Sequence, residues 1–300
     1  MLPTTTENND MDTPIPSEPG AYPDLPFEVY VQIDAVNSSW LKAALSALHA
    51  LHYKRSQDND TASRGMLRSA HCLMFEPHNF LRDFCWYGGK RDKRQKVYKA
   101  HLAENEGRTT LNTAEINDAV GMASAAWQSD VTGPVLAADG AMTELTVIWR
   151  DKATGLLCKG RFDHVVVTDD LVTITDGKGV GSSDTDAVGR QAHKLNWLMQ
   201  AAHYVAAACA VWPGREVRFQ LLGVETKDPH DCGIYMLDDL MLGAGETFRR
   251  KRLSLLASSL STNEWPGRYS APVYLGYPDY GLPTIDTEDD IDFDTETDHG

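Results

Sequence analysis

The chain has 300 residues, 42% of them hydrophobic, and a formal net charge of −15 at pH 7. That length is enough to bury a full core, in one large domain or two small ones. The longest apolar stretch, residues 201–212, is interrupted by His203 and Tyr204 and is too short to span a bilayer.

The acidity is concentrated at the ends. Positions 1–25 hold five acidic residues and positions 284–300 hold eight, with no Lys or Arg in either, so the body between them is close to neutral. Residues 1–28 are proline-dotted and poor in large apolar side chains, which predicts a disordered tail. No basic start followed by an apolar run is present there, so no secretory signal is expected. Cys72, Cys85, Cys158, Cys209 and Cys232 are odd in number and lack any ligand spacing. They point to a reducing, cytoplasmic compartment and away from structural zinc or an iron–sulfur cluster.

A cap at Asn37-Ser38-Ser39 opens a helix over residues 40–51. A second helix, over residues 64–75, is stopped by Pro77. Next comes a dense cationic run of Lys90, Arg91, Lys93, Arg94 and Lys96, able to meet a phosphate backbone. Helical spacing resumes over residues 93–102 and 113–128. Strands are then predicted at 143–149 and 156–167, joined by the turn 151–155, and at 171–176 after the turn Thr168-Asp169-Asp170. Residues 177–186 read as a loop. The Ala-rich segment 188–211 reads as one long helix ended by Trp212-Pro213-Gly214. Strands at 217–224 and 233–237 and a helix at 238–256 complete the body, and 284–300 forms a disordered acidic tail. The expectation is an α+β fold, one mixed sheet flanked by helices, in a domain covering 29–283.

The chemistry concentrates on the central strands. A hairpin of 156–167 with 171–176 brings Asp163 and Asp176 together, and Lys178 lies two residues on, on the same strand face as Asp176. Two carboxylates can hold a divalent cation, and an adjacent ammonium can orient water. An ionised Asp163 beside a buried run needs a partner, either a cation or a salt bridge to Arg161 or Lys178. Pairing across the 151–155 turn would bring Glu144 beside Asp163. Gln200 and Tyr204 are four apart and share a helix face, where an amide and a phenol could reach a phosphate or a base and Trp197 could stack. His71, among apolar helix neighbours, reads on its own as an ordinary core histidine.

Taken in order, Gly65, His71, Glu76-Pro77, Glu144, Gly155 to Asp163, Asp176-x-Lys178, Gln200-x-x-x-Tyr204 and Trp265-Pro266 resemble the PD-(D/E)xK nuclease superfamily, specifically the RecE type, exonuclease VIII-like phage exonucleases. The resemblance implies a restriction-endonuclease-like fold and 5′ to 3′ hydrolysis of linear double-stranded DNA for phage recombination. It also implies two Mg²⁺ or Mn²⁺ ions held by His71, Asp163 and Asp176 with Glu144 nearby. Lys178 would assist the attacking water, and Gln200 with Tyr204 would form the Gln-x-x-x-Tyr motif. A ring-shaped homo-oligomer and a single-strand annealing partner are implied as well. The alternatives are a structure-specific or endonucleolytic RecB-like nuclease, or a non-catalytic platform for an annealing protein. One departure stands out: Gly177 and Gly179 flank Lys178 where the family has larger residues, which predicts a less rigidly held lysine.

Overall fold

The computed structural model describes residues 13–56 and 62–275. In chain order the elements are β1 (Gly20–Tyr22), α1 (Phe27–Gln32), α2 (Ser38–Ala43), α3 (Ala47–Arg55), α4 (Ala62–Phe75), α5 (Phe80–Asp83), β2 (Phe84–Trp86), α6 (Lys96–Glu104), β3 (Thr109–Leu111), α7 (Thr113–Gln128) and α8 (Gly133–Leu136). The second half contains β4 (Met142–Arg150), β5 (Leu157–Val167), β6 (Leu171–Val180), α9 (Thr185–Lys194), α10 (Trp197–Val211), β7 (Glu216–Glu225), β8 (Cys232–Met236) and α11 (Asp239–Thr262). Six strands form one mixed sheet in the order β1-β4-β5-β6-β7-β8, antiparallel except for the parallel β6–β7 pair. No helix among the described residues is long and apolar enough to cross a membrane.

The sheet separates two cores. On one side Leu145, Val147, Phe162, Ile174, Phe219 and Leu221 pack with α2, α10 and α11. On the other, Leu222 and Val224 of β7 pack with α4 and α7. The alternation along β7, with Leu221 to one core and Leu222 to the other, is the period-two signature of a strand covered on both faces.

Four expectations need correction. Residues 20–22 are not outside the domain: β1 pairs with β4 from Gly20↔Ile148 to Tyr22↔Thr146, and Leu25, Val29, Tyr30 and Ile33 seal that edge. Residues 1–12 and 284–300 lie outside the described residues. The helix expected over 40–51 is broken between Ala44 and Ser46, and Ser46 caps α3 by accepting from the His49 N–H. The long helix expected over 188–211 is two helices, because Asn196 adopts a left-handed φ of 55° that ends one axis and starts another. Finally, β6 runs on to Val180 rather than stopping at Asp176, because β7 pairs with it all the way to Val180↔Glu225.

Helix α11 is anchored by Arg249, whose guanidinium donates to Asp151 Oδ2 at 3.0 Å and to Glu246 at 2.5 and 2.9 Å. Beneath it His203 is fully buried against Trp149, ring centroids 4.6 Å apart, with Nε2 3.2 Å from the Lys159 carbonyl. Burial, and after it the charge of Arg249, drops the His203 imidazole to about 3. The folded protein therefore keeps this ring neutral, while the unfolded chain takes up a proton below about 6.5. The stability is complete above that value and is lost as pH falls toward 3. Lowering the pH from 7.5 to 5.0 should remove about 2 kcal/mol through this group alone. Urea melts at the two pH values should show a smaller loss for His203→Leu than for the wild type; an equal loss contradicts the assignment.

Candidate active site

β5 and β6 pair only from His164↔Thr175 to Val167↔Val172. Beyond that point β5 stays with β4 and β6 stays with β7, so the sheet opens into a fork. Asp163 and Asp176 are the first residues past the last pair. The fork leaves a backbone donor free of strand pairing, and the Gly177 N–H gives its hydrogen bond to Asp163 Oδ2 at 2.8 Å instead.

On the other strand of the β4–β5 pair, Glu144 falls between the partners Thr143↔His164 and Leu145↔Phe162, which brings it beside Asp163. It holds a left-handed φ of 51°. Such a conformation costs a non-glycine residue of order 1 kcal/mol or more, and it persists where surrounding contacts over-determine it. Here those contacts are visible: Arg161 Nε donates to Glu144 Oε2 at 2.5 Å, and His71 Nδ1 stands 3.5 Å from Oε1.

His71 arrives from α4, which lies directly on β6. Glycine makes this approach possible. A Cβ on Gly177 would fall 2.7 Å from the Phe75 ring, and one on Gly179 would fall 2.6 Å from Leu67. The two glycines that flank Lys178 thus let the histidine helix seat on the strand. They do not loosen the lysine, contrary to expectation: it is paired in register with Gly223, lies 5.8 Å from the Trp197 ring and forms an ion pair with Asp176.

The electrostatics follow from burial and proximity. His71 Nε2 lies 3.0 Å from Asp163 Oδ2. Burial pushes the imidazole down, but the Asp163 carboxylate outweighs it and the group rises to about 9. Asp163 moves the other way: burial would raise it, yet the His71 charge and the Gly177 N–H hold it below the ordinary carboxylate range. Lys178 stays charged because Asp176 and Asp163 overcome its desolvation. Asp163 is therefore partnered by His71, not by Arg161 or Lys178. Its neighbour Asp176 accepts from Gln200 Nε2 at 3.0 Å through the oxygen that Lys178 leaves free.

His71, Glu144 and Asp163 each offer a ligand atom within 4.8 Å of the others, the one such donor cluster among the described residues. One imidazole nitrogen and two carboxylates, partly exposed at the mouth of a fork, suit a hard divalent cation. The donor set fits. To serve as a ligand, the imidazole must give up the proton it holds in this state.

The family model described as a PDDEXK-like domain of unknown function (DUF3799) matches residues 37–272. The chain belongs to the PDDEXK-like DUF3799 family. No curated protein matches it. A solved structure named "Putative exonuclease" from Eubacterium rectale is similar in fold, with 12% identity over 76% of this chain and 82% of that chain and a TM-score of 0.53. The solved structure of SSO0001 shares 14% identity over 77% of this chain and 88% of that chain, with a TM-score of 0.28.

Within this PDDEXK-like domain the sequence-predicted residues divide into two groups. His71, Glu144, Asp163, Asp176, Lys178 and Gln200 converge on the fork. Tyr204 stands behind them: it is buried against Phe162, and its hydroxyl accepts from Gln200 Nε2 at 3.3 Å. Trp197 is buried as well, its ring spent on Lys178, so it presents no surface for stacking a base. In the cationic run, Arg91 is bound bidentately by Glu115 at 2.7 and 2.8 Å, and Arg94 is paired with Asp92. Lys90, Lys93 and Lys96 are exposed, and α6 begins only at Lys96. Sequence reasoning missed Lys42 on α2, whose Nζ lies 2.7 Å from Gln200 Oε1. A lone charge at the end of the apolar turn Trp40-Leu41 was the available signal.

Proposed function

We propose that this PDDEXK-like domain is a divalent-metal nuclease that hydrolyses phosphodiester bonds at the ends of linear duplex DNA, 5′ to 3′. The observation that carries the reading is the fork itself. An ionised, half-buried Asp163 shares one small space with Glu144 and His71, next to an Asp176–Lys178 pair. Keeping so many charges together with little access to water is costly, and a purely structural role would avoid it. Mg²⁺ or Mn²⁺, two ions as the superfamily resemblance implies, would be held by His71, Glu144, Asp163 and Asp176 and would polarise the scissile phosphate and activate water.

The chain's own residues do the rest. Lys178 keeps its proton on Nζ in this environment, so it orients water and offsets phosphate charge rather than accepting a proton. Arg161 holds Glu144 in its strained geometry. Gln200 holds Asp176. The exposed Lys90, Lys93 and Lys96 would draw the DNA backbone, with Arg91 and Arg94 contributing less because each already has an acidic partner. The same reading includes a role in phage recombination beside a single-strand annealing protein, a ring-shaped homo-oligomer and a cytoplasmic setting.

End-labelled digestion tests the proposal. Linear duplex with free 5′ ends should release labelled mononucleotides in Mg²⁺, whereas blocked 5′ ends and closed circles should survive. Asp176→Ala and Lys178→Ala should each be slower by about a hundredfold or more. Cutting of circles would replace exonuclease by endonuclease. Full activity in both variants would remove the fork from the chemistry.

A further inference from the structure

Lys42 is a half-buried side chain beside the fork, without a role in the chemistry above. It comes from α2, whose N-cap Asn37 accepts from the Trp40 N–H at 2.8 Å, while Trp40 Nε1 is tied to the Ala50 carbonyl at 2.9 Å. The helix is therefore fixed against the α10 side of the sheet. Among the described residues its lysine meets a single hydrogen-bond acceptor, Gln200 Oε1, at 2.7 Å.

That contact settles a question an amide leaves open. A glutamine side chain is an acceptor at one end and a donor at the other, and the two orientations differ by a simple rotation. An ammonium can only donate. With Lys42 on one side, Oε1 must face the lysine and Nε2 must face inward, where it donates to Asp176 Oδ1 at 3.0 Å and to the Tyr204 hydroxyl at 3.3 Å. If the amide were turned over, Oε1 would be set against the Asp176 carboxylate. The Asp176 carboxylate only accepts, so it and the lysine select the same orientation and grip the amide from both ends.

We propose that Lys42 is a positioning residue for the nuclease centre: it anchors the outer end of the Gln200 amide in the polarity Asp176 requires and, through it, steadies the Asp176 carboxylate beside Lys178. The inference rests on the nuclease reading for its consequence in turnover, but the orientation itself can be read without turnover. Its charge also acts at longer range on Asp176, Asp163 and Lys178, which Lys42→Arg retains and Lys42→Met removes. Arg at position 42 is also donor-only and preserves the polarity, whereas Met is not a donor.

The test has two arms. In the first, the side-chain amide of Gln200 is followed by ¹⁵N–¹H NMR in the full-length protein, without metal or DNA. Its two N–H signals should move toward free-amide positions in Lys42→Met and stay near wild type in Lys42→Arg. Unchanged signals in Lys42→Met would overturn the proposal. In the second arm, kcat on linear duplex should drop about tenfold in Lys42→Met, with KM for DNA within about twofold, and recover in Lys42→Arg. Lys42→Met/Gln200→Leu should be no slower than Gln200→Leu alone; losses that multiply would mean that Lys42 acts elsewhere, which also overturns it. Gln200→Glu keeps the lysine contact but lacks the inward N–H, so it should be as slow as Gln200→Leu, and this variant leaves position 42 untouched should Lys42→Met not fold. Titration of the apoprotein with Mn²⁺ alone should show weaker binding in Lys42→Met by a similar factor. A wild type that cuts no DNA while the NMR arm responds as described would refute the nuclease reading and leave the positioning role standing.

Discussion

Replacing Asp163 by Asn should lower metal-dependent DNA cleavage by about a thousandfold or more while leaving the fold in place. Asn has the same shape, and its carbonyl can still accept the Gly177 N–H that now binds Asp163 at 2.8 Å. What it removes is the charge. Without it, His71 loses the carboxylate that lifts it to about 9, and burial returns the imidazole toward its neutral form. Breaking a buried pair usually costs about 3–5 kcal/mol because a charge is stranded. Here the stranded partner can shed its proton, so the thermal midpoint should change little. The discriminating pair of measurements is digestion rate and melting temperature on the same preparation. A variant that keeps half the parental rate means that Asp163 does not hold a catalytic ion. A variant that is merely unfolded would show it in the melt.

The largest effect on stability is expected at Gly245→Ala. Alanine is the better helix former by roughly 1 kcal/mol, and at an exposed site of α11 it would stabilise. At this position a Cβ would stand 2.1 Å from the Leu198 carbonyl oxygen and 2.5 Å from its carbon. Those are backbone atoms of α10, which cannot rotate away, so the two helices must separate. Overpacking of this kind costs about 3 kcal/mol, which exceeds the propensity gain by about 2 kcal/mol and should lower the melting temperature by about 6 °C. The displacement begins two residues from Gln200, so cleavage should fall with it. Circular-dichroism melts decide the matter: a midpoint within about 2 °C of wild type would show that α10 and α11 are not in such close contact.

The two outcomes reach the same site from opposite directions. Asp163 acts through charge in a fork where a cation is expected. Gly245 acts through the helix packing that holds the far wall of that fork. Proton linkage adds a check on the first: Asp163 lifts His71 to about 9 and burial raises Glu144 and Asp176, so loading the centre with a divalent ion should release protons. Titration calorimetry in buffers of different ionisation enthalpy reads that release directly.

Local pattern in the sequence was enough for the strands β4 to β8, for α4 and α7 and for the pairing of Glu144 with the Asp163 end of β5. These depend on alternation, turn chemistry and caps within a few residues of one another. It was also enough to assemble His71, Glu144, Asp163, Asp176, Lys178 and Gln200 as one candidate set, because their types and order carry the superfamily resemblance. It was not enough for β1, a three-residue Gly-Ala-Tyr strand that exists only because β4 offers it an edge 124 to 128 residues away. Nor could it show that 188–211 breaks at Asn196, since nothing in the side chains there forbids a continuous helix and the break is set by packing on the sheet.

Residue order by itself determined which chemical groups are available: acids on neighbouring strands, a lysine two positions beyond one of them, a histidine on a preceding helix. Only the tertiary structure decided how they divide. It gave Asp163 to His71 and Asp176 to Lys178, placed Tyr204 behind Gln200, used up Arg91 and Arg94 on local acids, and brought Lys42 to Gln200 across 158 residues of sequence. The physical reason is that partner choice among buried charges depends on distances of a few ångströms. Those are fixed by where the sheet forks and how closely glycine lets a helix approach, and neither is written in any short stretch of the chain.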